Sequence, residues 1–317
     1  MIHVVSSAKI GKKHQERLRQ CFPAVSYTFC TDIGQAEKEA AHADVLITYG
    51  EDLNDAIVKK FPRLRWIHVI SAGVEWLPFD TLRNNGIRVS NARGIHAVPM
   101  GEYAMAVLLQ LTRRVHHLYL LQQEKHWDRT IRMGELCGKT LAIIGAGAIG
   151  QAVAKRARAF DIQVWGMNTS GLPVDHFDRM FTPDQREMVF SQADYVLITL
   201  PLTPRTRHFV GERELRWMKP DAYLINMARG SVVNEESLLQ ALRDRRIGGA
   251  VLDVFEREPL PADHPFWDLD NVLLTPHLSG RSPGYMTRAL DIFQENLSLY
   301  LKGDEPLQNE LDLLKGY

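Results

Sequence analysis

Short apolar runs alternate with amphipathic stretches along the first third of the chain. The apolar runs fall at 2–6, 25–29, 45–49 and 66–70, and helical spacing occupies 12–21, 33–41 and 53–61. Because a strand repeatedly precedes a helix, this part predicts βαβ units and a parallel sheet.

The same alternation begins again after residue 139, with stronger strand signals. Predicted strands lie at 140–144, 162–165, 195–199, 223–226, 249–253 and 272–274, with helical stretches at 149–160 and 235–244. The predicted fold class is therefore α/β, with two doubly wound parallel-sheet domains.

Two helical stretches indicate how the domains are connected. Residues 100–115 are apolar on nearly every face, which predicts a helix buried between domains or between the subunits of a homodimer. The stretch 285–301 has no following strand, so we expect it to return to the first domain. The predicted domains are 1–95 with 281–317, and 96–280.

Composition and charge narrow the class of ligand. The 317 residues contain 38 Lys and Arg against 38 Asp and Glu, so no net field attracts nucleic acid or an anionic membrane. No signal-length apolar stretch follows the first residues, which predicts a cytoplasmic protein. His116, His117 and His126 lack the spacing of metal ligands. We expect a small-molecule ligand and no metal.

A glycine turn follows the strand predicted at 140–144. Gly145 permits a tight turn, Gly147 allows a pyrophosphate to approach the backbone, and Gly150 lets the next helix pack closely. Ala148 and Ile149, between the last two glycines, are expected to contact the same cofactor. The strand, turn and helix together predict dinucleotide binding.

The end of the next strand predicts which dinucleotide is bound. An acidic residue there would accept a hydrogen bond from the ribose of NAD, but this chain has Asn168, Thr169 and Ser170. These donors favour NADP(H). NAD(H) stays possible, because a neutral Asn can also bond an unphosphorylated ribose.

Three polar residues follow successive predicted strands. Arg229, Glu258 and His277 come after the strands that end at 226, 253 and 274, so they should share the carboxyl edge of the sheet. A His can donate a proton to a forming alkoxide, a carboxylate can orient it, and an Arg can bind a 2-oxo acid. Each residue alone is also compatible with a surface role.

The chain resembles the D-2-hydroxyacid dehydrogenase family at 145–150, 224–230, 253–260 and 275–277. This resemblance implies a Rossmann cofactor domain and a flavodoxin-like substrate domain with a cleft between them. The stretches 226–230 and 257–267, with Gly316 and Tyr317, resemble the glyoxylate/hydroxypyruvate reductase branch.

The resemblance also implies roles for individual residues. His277 would be the acid/base, Glu258 the partner of its protonated form, and Arg229 the residue that orients the substrate. Gly73 and Val74, in the run 71–75, would bind the substrate carboxylate through backbone amides. Further cofactor contacts are expected at Leu200, Pro201, Thr206, Met227, Ala228, Asp253 and Gly280.

A second function stays open on the sequence alone. The same family fold also serves as an NAD(H)-sensing binding module in transcriptional co-repression, and such a module can retain the three polar residues. An L-specific lactate or malate dehydrogenase is excluded, because its glycine turn would lie near residue 30 and not at Gly145.

Overall fold

The computed structural model describes residues 1–74, 76–304 and 306–314. The chain divides into two compact units: unit 1 is Met1–Ile95 with Ser282–Tyr317, and unit 2 is His96–Arg281. Glu75, part of the segment expected to bind a carboxylate, lies outside the described residues, as do Gly316 and Tyr317 of the branch resemblance.

Unit 1 is built on a parallel sheet. Its described strands are β1 (His3–Ser6), β2 (Ser26–Phe29), β3 (Val45–Thr48), β4 (Trp66–Val69) and β5 (Arg88–Asn91). Its first helices are α1 (Lys12–Cys21), α2 (Ile33–Ala36), α3 (Asp55–Val58) and α4 (Phe79–Asn84). The strand order β2-β1-β3-β4-β5 is the flavodoxin-like order.

Unit 2, all of whose residues are described, contains the larger parallel sheet. Its helices are α5 (Ala97–Arg113), α6 (Val115–Gln123), α7 (Ala148–Ala157), α8 (Arg186–Gln192), α9 (Glu212–Trp217) and α10 (Glu235–Arg243). Its strands are β6 (Thr140–Ile144), β7 (Gln163–Met167), β8 (Arg179–Phe181), β9 (Tyr195–Ile198), β10 (Tyr223–Asn226), β11 (Gly249–Leu252) and β12 (Val272–Leu274). The strand order β12-β11-β10-β9-β6-β7-β8 reverses direction beside β6, which makes the carboxyl end of β6 the switch point where such sheets bind ligands.

The predicted fold class, two parallel-sheet α/β domains, is confirmed. The sequence pattern missed β5 and β8. In β5, Arg88 pairs with Glu310, and the Ser90 hydroxyl accepts a hydrogen bond from Trp66 at 2.9 Å. Polar partners of this kind place a strand in the sheet without an apolar run in its sequence.

Helix α5 covers most of the stretch 100–115, whose burial between domains or subunits stays a prediction. It packs inside unit 2, where Met105 and Leu108 join a core that also contains Val153 of α7. The chain turns at Arg114, which has φ +47°, and α6 then leaves unburied apolar side chains. Among these are Val115, Leu118, Tyr119 and Leu120.

The last helix, α11 (Tyr285–Lys302), belongs to unit 1. Phe293 of α11 stacks on Trp66 of β4 with ring centroids 5.3 Å apart. Within the described ranges, no helix combines the length and the apolar character that crossing a bilayer requires.

A buried histidine lies in the core of unit 1. His68 on β4 is fully buried, and its Nδ1 lies 2.9 Å from the Ser90 hydroxyl. The same hydroxyl accepts a hydrogen bond from the indole nitrogen of Trp66 at 2.9 Å, so it joins the two rings inside the core. Burial lowers the pKa of His68 to about 3.

His68 should make stability depend on pH. Below about pH 6.5 the unfolded chain binds a proton at this residue while the folded chain does not, so stability falls as the pH falls. We expect a loss of about 2 kcal/mol between pH 6.5 and pH 5 from this residue. His68→Asn, which keeps an acceptor for Ser90, should show a smaller loss in urea unfolding. Equal pH dependence in both proteins would contradict this.

Candidate active site

The glycine turn after β6 contains two positions that favour glycine, Gly145 and Gly150, and one open position, Gly147. Gly145 has φ +113°, a conformation that favours glycine. A Cβ on Gly150 would lie 2.2 Å from the Gly145 carbonyl oxygen, so only glycine allows α7 to pack so closely on the turn. Gly147 precedes α7, and nothing lies within 4 Å of the Cβ position there.

This turn has the features of an anion site. Ala148 and Ile149 are the first residues of α7, and the first N–H groups of a helix have no partner within it. Their partial positive charge faces the open space beside Gly147. The turn therefore fits a dinucleotide pyrophosphate, which would occupy space that a side chain at Gly147 would fill.

The loop after β7 contains the residues predicted to contact the ribose. The Asn168 Oδ1 atom accepts hydrogen bonds from the backbone nitrogens of Ser170, at 3.1 Å, and Gly171, at 2.6 Å. It also accepts from the Ser170 hydroxyl at 3.2 Å. The two lone pairs of this oxygen are thus occupied, and the amide nitrogen of Asn168 offers only donors. Thr169 and Ser170 are exposed.

The loop after β9 closes on itself through Thr206. Its hydroxyl donates to the Pro201 carbonyl at 2.6 Å and accepts from the Thr203 nitrogen at 2.8 Å. Leu200 is partly buried beside exposed Pro201. The Thr206 side chain therefore fixes the shape of a loop at the carboxyl edge of the unit 2 sheet.

The segment after β10 carries Arg229. Met227 and Ala228 are buried, so only their backbone groups can face a ligand. The Asn226 side-chain nitrogen donates to the Arg229 carbonyl at 3.2 Å, and the Asn226 side-chain oxygen accepts from the Ala228 nitrogen at 3.1 Å. Arg229 itself is exposed.

Gly230 brings this segment against the one that follows β11. A Cβ on Gly230 would lie 1.9 Å from the carbonyl carbon of Phe255. Only glycine permits this approach of two backbones. Arg229 therefore lies beside the segment that carries Glu258.

His277 and Glu258 are in direct contact. The His277 Nδ1 atom donates to the Glu258 Oε2 atom over 2.8 Å, and Oε1 of the same carboxylate accepts from the Phe255 nitrogen at 3.0 Å. Because a carboxylate only accepts, Nδ1 carries a proton and Nε2 is left to act on a ligand. The two side chains are 48% and 36% exposed, which leaves them accessible.

Asp253 fixes the backbone that presents His277. Its fully buried carboxylate accepts from the Thr275 hydroxyl at 2.6 Å, the Leu278 nitrogen at 2.9 Å and the Ser279 nitrogen at 3.0 Å. The His277 nitrogen donates to the Asp253 carbonyl at 2.8 Å. These bonds hold His277 at φ +55°, which is uncommon for a residue other than glycine.

Two neighbours extend this network. The Tyr103 hydroxyl lies 2.7 Å from the Thr275 hydroxyl, and burial raises the pKa of Tyr103 to about 12. The His96 Nδ1 atom lies 3.2 Å from the carbonyl oxygen of Gly280. A Cβ on Gly280 would lie 2.8 Å from the same nitrogen, so this close contact requires glycine. Asn226 and Thr275 also lie at strand ends, but nothing in their positions along the sequence predicted these contacts.

The residues expected to bind a carboxylate lie in unit 1, after β4. The Ser71 hydroxyl donates to the Gly73 carbonyl at 2.9 Å, and Val74 is buried. Throughout the described ranges, no group of three or more His, Cys, Asp or Glu side chains is arranged to hold a metal ion.

Comparison with known proteins gives the family. The model of the D-isomer specific 2-hydroxyacid dehydrogenase NAD binding domain matches residues 105–279, which lie within unit 2. A glyoxylate reductase of Thermofilum pendens is 34% identical over 277 residues, covering 83% of this chain and 80% of the relative.

Two solved structures are also similar. A D-isomer specific 2-hydroxyacid dehydrogenase family protein from Aeromonas salmonicida is 31% identical, with a TM-score of 0.89, covering 98% of this chain and 99% of that one. A D-isomer specific 2-hydroxyacid dehydrogenase from Xanthobacter autotrophicus, in complex with NADPH and MES, is 25% identical, with a TM-score of 0.84, covering 100% and 99%. The chain therefore belongs to the D-isomer specific 2-hydroxyacid dehydrogenases, enzymes that transfer a hydride between a nicotinamide cofactor and a 2-oxo or 2-hydroxy acid.

Proposed function

We propose that this enzyme reduces a small 2-oxo acid of the glyoxylate or hydroxypyruvate type to the D-2-hydroxy acid, with His277 as the proton donor. The observation that carries this proposal is the 2.8 Å contact between His277 and Glu258 at the carboxyl edge of the unit 2 sheet. The similarity to a glyoxylate reductase supports the choice of a small substrate.

Proton transfer follows from the orientation of the imidazole. When bound, the nicotinamide cofactor supplies a hydride to the carbonyl carbon. Glu258 accepts a hydrogen bond from the Nδ1–H of His277, so the protonated ring presents its Nε2–H to the carbonyl oxygen and donates that second proton as the oxygen gains charge. One hydride and one proton convert the 2-oxo acid to the 2-hydroxy acid.

Positive charge would bind and polarise the substrate. The Arg229 guanidinium, at the end of the segment after β10, attracts the substrate anion and draws electron density towards the carbonyl oxygen. In unit 1, the backbone N–H groups of Gly73 and Val74 are proposed to bind the carboxylate. Unit 2 would bind the cofactor, with its pyrophosphate at the N-terminus of α7.

Removal of the imidazole tests the proton donor. His277→Ala should lower kcat for glyoxylate by about a hundredfold or more, because no group would protonate the oxygen, while cofactor affinity stays unchanged. Steady-state kinetics and a fluorescence titration with NADPH measure the two effects. The exposed His126→Ala is the control and should match wild type. Wild-type turnover in His277→Ala would refute this role.

The preference for NADP(H) over NAD(H) would depend on Asn168. A carboxylate at this position would accept from the ribose 2′-hydroxyl of NAD and repel a 2′-phosphate. The Asn168 oxygen is engaged with Ser170 and Gly171, so the side chain offers donors, and a phosphate is a strong acceptor. The similar dehydrogenase from Xanthobacter autotrophicus binds NADPH, which supports this preference.

Asn168→Asp should reverse the cofactor preference. We expect the ratio of kcat/KM with NADPH to that with NADH to fall by about tenfold or more, because the new carboxylate repels the 2′-phosphate. Gln163→Glu adds the same charge at the exposed amino end of β7 and should leave the ratio unchanged. An unchanged ratio in Asn168→Asp, or a wild-type preference for NADH, would exclude the proposal.

The protein would form a homodimer through α6. The apolar side chains of Val115, Tyr119 and Leu120 are 54%, 56% and 46% exposed, and α6 has no buried residue. Burying such a surface against a second copy would remove it from water.

Sedimentation analysis measures the oligomeric state. Wild type should sediment as a particle of twice the 36.1 kDa chain mass, and Tyr119→Glu should shift it towards 36.1 kDa, because the interface would then bury an unpaired charge. A wild-type particle of a single chain mass would rule out the dimer.

A further inference from the structure

A second histidine–carboxylate pair lies behind the segment that carries Glu258. The Nε2 atom of His264 lies 3.0 Å from the Oε1 atom of Glu235, and the side chains are only 16% and 26% exposed. Glu235 begins α10, where a carboxylate is stabilised by the N-terminal end of the helix. The proton transfer described above does not use this pair.

The tautomer of His264 is determined by its second ring nitrogen. The backbone nitrogen of Phe266 donates to His264 Nδ1 at 3.3 Å. Nε2 therefore carries the proton and donates it to Glu235. The Phe266 side chain is buried, and its ring centroid lies 4.8 Å from that of His264, so the imidazole packs against the core of unit 2.

The other oxygen of Glu235 reaches the segment that carries Glu258. Glu235 Oε2 accepts from the backbone nitrogen of Glu256 at 3.3 Å. The preceding nitrogen, that of Phe255, donates to Glu258, and Gly230 packs against the Phe255 carbonyl. The Glu235 carboxylate, the Glu258 carboxylate and the packing of Gly230 thus hold the backbone from which the Glu258 side chain reaches His277. The Glu256 side chain also contacts His208 at 3.0 Å.

We infer that Glu235 and His264 are positioning residues: together they hold the 255–258 backbone so that the Glu258 carboxylate meets Nδ1 of His277. This inference rests on the proposed function of His277 as the proton donor. His264 orients Glu235, Glu235 binds the Glu256 amide, and neither residue has to touch the substrate.

Two substitutions at His264 distinguish the roles of its two ring nitrogens. His264→Asn keeps an acceptor for Phe266 at the position of Nδ1 but is too short to reach Glu235. His264→Gln keeps a donor at the position of Nε2 and can restore the bond to Glu235. Glu235→Gln keeps one acceptor oxygen, so one of the two groups that donate to Glu235, the Glu256 backbone nitrogen or His264 Nε2, is left without an acceptor. Glu236→Gln is the control, because it removes the same charge from the exposed side of the same helix turn.

The value of kcat should depend on whether the variant keeps the hydrogen bond between position 264 and Glu235. We expect kcat for glyoxylate to fall about tenfold in His264→Asn and Glu235→Gln, with KM and NADPH affinity nearly unchanged, because the acid/base pair is misplaced. His264→Gln and Glu236→Gln should stay within about twofold of wild type. A merely structural role would lower the melting temperature without separating Asn from Gln at position 264.

Hydrogen exchange gives a measurement that does not depend on turnover. The Glu256 amide should exchange faster in His264→Asn and Glu235→Gln than in wild type, and at the wild-type rate in Glu236→Gln. An unchanged Glu256 amide, or equal kcat in the Asn and Gln variants at position 264, would overturn the inference. If wild type reduced no 2-oxo acid, the proposed function would fail, and exchange would still decide whether the pair holds this segment.

Discussion

The buried carboxylate of Asp253 is the constraint on which the rest of the candidate active site depends. It accepts three hydrogen bonds from residues on both sides of His277, and leaving a buried donor unpaired costs about 1–3 kcal/mol. This network makes the left-handed backbone of His277 the favoured one despite its strain. Asp253 was expected to contact the cofactor, but its carboxylate oxygens accept the hydrogen bonds that hold the backbone of His277, the proposed acid/base.

Close backbone contacts bring the remaining parts of unit 2 together. Gly150 packs on the turn at Gly145, and Gly230 packs on Phe255, in both places at distances that exclude a Cβ. The first contact presents the N-terminus of α7, and the second places Arg229 beside the segment of Glu258. The chain has no net charge, yet Arg229 and the end of α7 supply positive charge where anionic groups are proposed to bind.

The sequence predicted secondary structure best where a run of apolar residues alone determines a buried strand. The apolar runs of β3, β4 and β6 are fully buried strands, and the fold class inferred from them is confirmed, as is the family resemblance. Strand β5 was missed because Arg88 and Ser90 are held by polar partners. Periodicity predicted that α5 is buried but could not identify its neighbour inside unit 2, which is α7.

The candidate site was predictable in its positions but not in its contacts. Carboxyl ends of parallel strands share one edge, so the strand ends alone indicated Arg229, Glu258 and His277, whose catalytic roles stay predictions. The bond between Glu235 and His264 joins the first residue of α10 to a residue 29 positions later, in the loop after β11, and no spacing rule covers such a pair. The engaged oxygen of Asn168 likewise depends on the turn that follows it.

Hydride transfer from the cofactor to a 2-oxo acid is the reaction proposed for the site around His277. The most direct test uses NADPH with deuterium at both C4 positions and hydroxypyruvate as the acceptor, with the product analysed by NMR and chiral chromatography. The proposed reaction places one deuterium at C2 of D-glycerate. Bound cofactor without deuterium transfer to hydroxypyruvate, glyoxylate or any other small 2-oxo acid would contradict it.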